Sequence, residues 1–394
     1  MLPRKELFAI PEGVIYLDGN SLGAMPLAAM QRAATVIADE WGQGLIRAWN
    51  TADWISLPKH VGDRIAGLIG APAGSVATGD TLSIKVFQAL SAALSMRPGR
   101  KVILSDDGNF PTDLYMAQGL TRLLNDGHRI LTPAPEDVAA AISDEVAVVM
   151  LTHVDYRSGR MHDMNAITQA AQAAGAVMIW DLAHSAGAVP VDIQGSNAEF
   201  AIGCTYKYLN GGPGAPAFIY ARPDIVNSIA PALSGWMGHD APFAMELDYR
   251  PAMSTERLRV GTPPIVQLSI LDAALDVWDG LSMDEVRAAS LSLSELFIAE
   301  VERRCPSLRL ASPRDPALRG SQVSFAFDHG YEAMRALIDH GVIGDFRAPD
   351  IMRFGFTPLY LDRQDIMIAA GRIEQVIAGE LWRDPRYKIR SRVT

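Results

Sequence analysis

The sequence predicts an α/β chain with a mostly parallel central sheet, crossover helices and a second, smaller α+β domain. Three observations carry this reading. From Lys101 onward, short apolar runs alternate with amphipathic stretches, the pattern of parallel strands joined by helices. After Pro263-Pro264 the chain changes to long helical patterns followed by short strands. Its 394 residues are also enough to bury two cores.

The elements follow in chain order. Thr78-Gly79-Asp80-Thr81-Leu82-Ser83 precedes a helical pattern that sets Ile84, Phe87, Leu90 and Leu94 on one face. Strands are expected over residues 102–104 and 129–131. Residues 146–151 and 177–180 flank a helix running through Ala170, which Asp163 caps and Gly175 ends, so 146–180 reads as one βαβ unit. Strands over 200–204 and 217–220 complete the sheet. Beyond Pro264, helices are expected over 265–278 and 284–305, then strands of a smaller sheet over 323–327 and 352–355.

Composition narrows the function classes. A net charge of −10, with no Lys/Arg-rich run, argues against a nucleic-acid partner. The two cysteines, Cys204 and Cys305, have no paired spacing and no His cluster beside them, so neither a disulfide framework nor a metal site is expected. Cys204 is expected to pack in a strand as a small apolar residue. Residues 1–13 lack an apolar signal core, and the uncharged run over 164–180 is broken by Asn165, Gln169, Gln172 and Gly175. The chain is expected in the cytoplasm, without a membrane span.

The chemistry concentrates in two stretches, Trp180-Asp181-Leu182-Ala183-His184 and Thr205-Tyr206-Lys207-Tyr208-Leu209-Asn210-Gly211-Gly212. Asp181 ends an apolar strand, where open α/β sheets bind ligands, and Lys207 follows the next one. An Asp after a strand is often a helix cap, and a Lys in a Gly-rich loop is often only solvated. Together with His184 they supply the polar parts of a pyridoxal phosphate site: a lysine for the Schiff base and an acid for the pyridine nitrogen. Arg353 lies in the apolar pattern Ile351-Met352-Arg353-Phe354-Gly355, where a guanidinium needs an anion. A substrate carboxylate held bidentately is one candidate, and an internal carboxylate is the other.

Leu17-Asp18-Gly19-Asn20-Ser21-Leu22-Gly23, Asp181-Leu182-Ala183-His184, Tyr206-Lys207-Tyr208-Leu209-Asn210, Gly235-Trp236-Met237-Gly238-His239 and Arg353 through Pro358-Leu359-Tyr360 resemble kynureninase, in family order along nearly the whole chain. The resemblance implies a fold type I, pyridoxal phosphate-dependent homodimer of the aspartate aminotransferase-like superfamily. Such an enzyme splits L-kynurenine into anthranilate and L-alanine in tryptophan catabolism. It also implies a large cofactor domain over residues 45–262 and a small domain from residues 1–44 and 263–394.

By the same resemblance, Leu82 and Ser83 contact the phosphate, Phe110-Pro111-Thr112-Asp113 and Thr152 lie against the cofactor, and Asp181 and His184 hold its ring. Lys207 is the anchoring base, and Tyr206 binds phosphate and relays protons. Trp236 and Thr262 add phosphate contacts, partly across a subunit boundary. Arg353 takes the substrate carboxylate. Thr262 stands where animal relatives carry Asn, and Trp54 where they carry His, which favours unhydroxylated kynurenine. A cysteine desulfurase or selenocysteine lyase would share Asp181, His184 and Lys207, but it needs a mobile catalytic cysteine, and Cys305 sits in a helical pattern. A non-catalytic cofactor-binding scaffold could dispense with Lys207 or Arg353, and both are present.

Overall fold

The computed structural model describes residues 2–390. Numbering strands along the chain, β1 (Ile15–Tyr16) belongs to the N-terminal segment, and the next seven form one sheet. These are β2 (Val76–Thr78), β3 (Val102–Leu104), β4 (Arg129–Leu131), β5 (Val146–Thr152), β6 (Val177–Asp181), β7 (Phe200–Gly203) and β8 (Phe218–Ala221). Their spatial order is β2-β8-β7-β6-β5-β3-β4. Strands β3 to β7 run parallel, and β8 is antiparallel to both its neighbours. The expected strands all form, with ends shifted by at most a residue. β2 was not foreseen, because Val76-Ala77-Thr78 is too short an apolar run to stand out.

β5 and β6 are buried along their whole length because helices cover both sheet faces. Successive residues divide between two cores with the period of two that a strand imposes. Val149, Leu151, Met178 and Trp180 meet Met164, Ile167 and Ala171 of the helix Met164–Ala173 on one side. Val148, Met150, Val177 and Ile179 meet Val86, Ala89 and Leu90 of the helix Leu82–Ser95 on the other. The buried stripe of that second helix therefore differs from the expected one: Ile84 and Phe87 are only half-buried, and Leu90 and Leu94 remain in the core. The Asp163 carboxylate accepts the Ala166 N–H at 2.9 Å, and Gly175 takes a φ of 76° just past the helix end, as the βαβ reading required.

The second part of the chain holds β9 (Arg309–Leu310), β10 (Gln322–Ala326), β11 (Val342–Ile343), β12 (Asp345–Arg347) and β13 (Ile351–Gly355). Four of these form an antiparallel sheet in the order β12-β13-β10-β9. The remaining strand, β11, pairs in parallel with β1, which ties the N-terminal segment to this part of the molecule. The helix Met283–Arg304 starts with a reciprocal capping box between Ser282 and Glu285. Its Phe297 packs on Phe325, Phe354 and Phe356 to make the local core. Among the described residues no helix is long and apolar enough to cross a membrane.

Candidate active site

Parallel pairing brings the polar residues to one edge of the sheet. Thr152 lies directly beside Asp181 across β5 and β6, and Asp181 lies beside Ile202 across β6 and β7, five residues before Lys207. The Lys207 Nζ then sits 2.9 Å from His184 Nε2. Burial, reinforced by the charges of Lys207, Arg353 and Arg347, drives His184 well below its ordinary range, so the ring is neutral and Nε2 accepts from the lysine. His184 Nδ1 is buried without a partner. His184 therefore also contacts Lys207 directly.

Two buried carboxyl groups share the next position. Asp113 stands in the first turn of the helix Pro111–Leu124, and burial, then the charge and hydrogen bond of Asp181, pushes it well above the carboxylate range. Asp181 is also raised by burial, but Lys207, the Ala183 N–H at 2.7 Å and the Asp113 hydrogen bond oppose that shift. Like charges this close cannot both ionise, so Asp113 carries the proton and donates it to the Asp181 anion. No N–H or O–H group donates to either Asp113 oxygen.

The helix Leu82–Ser95 starts at an exposed turn. Its N-cap is Thr81, which is extended and makes no side-chain capping bond, so the first amides, including those of Leu82 and Ser83, are free of a side-chain cap. Neither Asp80 nor Ser83 serves as the cap. Asp80, at a φ of 57°, is instead drawn 3.1 Å from the buried Lys85 Nζ, which also donates to Gln88 Oε1 at 3.0 Å and to the Leu258 carbonyl at 3.2 Å. The Phe110 ring is 40% exposed, with its centroid 6.0 Å from Lys207 Nζ, and packs edge-on against Tyr156 at 5.3 Å. Thr152 Oγ1 donates to Asn109 Oδ1 at 2.5 Å. Burial raises the Tyr206 phenol, which keeps its proton and is therefore a donor, and its ring lies 5.8 Å from Lys207 Nζ.

These features fit pyridoxal phosphate. The crevice offers an anion for a pyridinium N–H, an exposed aromatic face, uncapped amides for a phosphate, and a lysine whose hydrogen-bond partner is a neutral ring.

Other expected residues lie elsewhere in the chain. Trp236 and Thr262 line a separate cleft of about 700 Å³ with Ile46, Trp49, Asn50 and Phe243. Trp54 is buried beside that cleft, edge-on to Trp49 at 5.7 Å, with its N–H on Glu40 Oε2 at 2.8 Å. Arg353 is buried and already paired: Asp345 Oδ1 accepts from Nε at 2.6 Å and Asp345 Oδ2 from Nη2. The internal carboxylate left open by the sequence is therefore present, and Asp345, Arg347 and Lys85 were not foreseen as parts of the site. Cys204 is buried as expected. Cys305 is buried at the end of the helix Met283–Arg304, where burial pushes its thiol up to about 11, which is unsuitable for a catalytic cysteine. Among the described residues no group of three His, Cys, Asp or Glu could hold a metal ion.

Residues 286–373 match the family described as kynureninase C-terminal domain, and residues 78–201 match the DegT/DnrJ/EryC1/StrS aminotransferase family. The kynureninase of Burkholderia pseudomallei is 51% identical over 401 residues, covering 100% of this chain and 96% of that protein. The solved cysteine desulfurase of Thermococcus onnurineus shares the fold at 17% identity, with a TM-score of 0.82 and coverage of 96% and 99%. The protein C-DES, solved with glycine covalently linked to its pyridoxal phosphate, gives a TM-score of 0.79 at 17% identity, with coverage of 94% and 99%. On its full-length identity to a curated relative, the chain belongs to the kynureninase family.

Proposed function

We propose that the crevice around Lys207 is where the family reaction, hydrolysis of the Cβ–Cγ bond of L-kynurenine to anthranilate and L-alanine, takes place in this chain. The observation that carries this reading is the Lys207–His184 contact beside the proton-sharing Asp113–Asp181 pair at adjacent strand ends. Asp181 would serve the pyridine nitrogen as an anion, because Asp113 holds the pair's proton. Leu82 and Ser83 would hold the phosphate with their amides, and Phe110 and Thr152 would border the ring. Bound pyridoxal phosphate supplies the electron sink for bonds at the substrate's α- and β-carbons.

Lys207 would anchor the cofactor and, with its amine free, would remove the substrate's α-proton. The neutral His184 keeps its Nζ in position without competing for that proton. Water would add to the γ-ketone, the Cβ–Cγ electron pair would stay with the β-carbon, and that carbon would take a proton relayed by the Tyr206 phenol. The Lys207 amine would return a proton to the α-carbon before alanine leaves. The aryl acid leaves first and alanine second. Arg353 anchors the substrate carboxylate end of the site.

We read the active species as a homodimer in which Trp236 and Thr262 complete the phosphate site of a second copy. Their exposed cleft, with Phe243 65% and Ile46 77% exposed at its rim, supports this. Residues 45–262 are read as the cofactor-bearing unit, with residues 1–44 and 263–394 as the smaller one. Two unpaired, buried cysteines fit a cytoplasmic location. Lys207→Ala is expected to abolish the visible absorption band of the cofactor-loaded protein. A variant with an unchanged band would overturn the assignment.

A further inference from the structure

The reaction scheme leaves one charged group beside the phosphate turn without a task. Lys85 stands in the first turn of the helix Leu82–Ser95, two residues after Ser83, with its side chain wholly buried. Its Nζ has three neighbours: Asp80 Oδ2 at 3.1 Å, Gln88 Oε1 at 3.0 Å and the Leu258 carbonyl at 3.2 Å. All three are acceptors, and only the protonated amine, with three hydrogens, can serve them in full. Burial lowers the ammonium, and the charge and hydrogen bond of Asp80 oppose that shift. No hydrogen is left over for a phosphate, so Lys85 can influence the helix start only through its partners. Gln88 is itself anchored, since its Nε2 donates to the same Leu258 carbonyl at 2.9 Å. Asp80 is the partner that carries a charge.

Asp80 directly precedes the N-cap Thr81 and takes a φ of 57°, following Gly79 at 142°. It is the acidic residue closest in sequence to Leu82 and Ser83, and its side chain is still 32% exposed. The uncapped amides and the helix dipole that favour a phosphate also attract a carboxylate. A free Asp80 would compete for them and would repel a phosphate monoester, which is close to a dianion at neutral pH. In the structure its carboxylate is drawn to the buried ammonium instead, and its charge is matched there.

We propose that Lys85 is a positioning residue for cofactor binding: it pins and neutralises the Asp80 carboxylate, which leaves the amides of Leu82 and Ser83 to a doubly charged phosphate. This rests on the reading of the Lys207 crevice as a pyridoxal phosphate site.

The test uses the full chain, stripped of cofactor, as wild type, Lys85→Met and Lys85→Met/Asp80→Asn. Each is titrated with pyridoxal phosphate and with pyridoxal, which lacks the phosphate, and the visible absorption band is followed. Lys85→Met should raise the Kd for pyridoxal phosphate on the order of tenfold and leave that for pyridoxal unchanged. The double variant, which removes both charges together, should return close to the wild-type Kd. Equal weakening of both compounds in Lys85→Met would make its role structural and overturn the inference. A double variant that binds pyridoxal phosphate as weakly as Lys85→Met would also overturn it, because Lys85 would then not act through Asp80. Should Lys85→Met fail to fold, the double variant decides: wild-type affinity for pyridoxal phosphate supports the inference, and weakened affinity overturns it. Absence of a band in wild type with either compound would overturn the crevice reading itself, and the inference with it.

Discussion

At the residue scale, the buried ionisable groups of the site are hydrogen-bonded, paired or neutral, as the cost of an isolated buried charge requires. Lys207 meets a neutral imidazole, Asp113 keeps its proton beside Asp181, and Arg353 is paired with Asp345. Asp18 is raised from 3.8 to about 7, chiefly by burial and then by Asp345. The folded chain holds this proton more tightly than the unfolded chain does. The contribution to stability is therefore full below about pH 4 and is lost as pH rises through 7, on the order of a few kcal/mol. Asp18→Asn removes the titration, so its melting temperature relative to wild type should climb between pH 5 and pH 8. A difference constant across that range would contradict the raised value. Lys207, Asp181 and His184 were legible in the sequence because they follow apolar runs that fix them at strand ends. Arg353 was legible as a cation in need of an anion. The identity of that anion was not, because Asp345-Phe346-Arg347 is a three-residue strand without an apolar period and its pairing with β13 is set only by the tertiary fold.

At the scale of elements, the N-terminal motif is a clamp on the lysine loop. The Gly23 N–H donates to the Tyr206 carbonyl at 2.8 Å, and a Cβ at Gly23 would fall 2.3 Å from the Lys207 carbonyl oxygen and 2.7 Å from Asn210 Cα. Only glycine lets the two backbones approach this closely. Gly23→Ala is expected to cost about 1–3 kcal/mol in denaturant unfolding and to lower turnover by displacing Lys207. Gly119→Ala, in the helix Pro111–Leu124 with open space around its added Cβ, should instead stabilise by roughly 0.5–1 kcal/mol. Equal effects from the two variants would contradict the clamp. The motif Leu17 to Gly23 was legible as a resemblance, but its contact with the lysine loop joins segments nearly 190 residues apart in sequence and has no local signature. The short β2 escaped for a related reason: three residues gain their strand conformation from pairing with β8 rather than from their own pattern.

At the scale of the whole molecule, the division into a mostly parallel central sheet and a smaller α+β unit was readable from the alternation of apolar runs and from the change after Pro264, although the strand β2 and the antiparallel pairing of the smaller sheet were not. The separation of Trp236 and Thr262 from Lys207 was not, because position along the chain does not reveal which copy completes a site. If a second copy supplies these residues, Lys207→Ala and Trp236→Ala chains, each nearly inactive alone, should regain activity when mixed, since a hybrid dimer contains one intact site. Activity no greater than the sum of the two would contradict the shared site. The central claim, that the Lys207 crevice cleaves kynurenine, is tested most directly by adding L-kynurenine to the cofactor-loaded protein and following anthranilate fluorescence. The account predicts that wild type releases anthranilate and alanine in equal amounts while Lys207→Ala releases neither; anthranilate release by Lys207→Ala at the wild-type rate, or none from wild type carrying its cofactor, would contradict it.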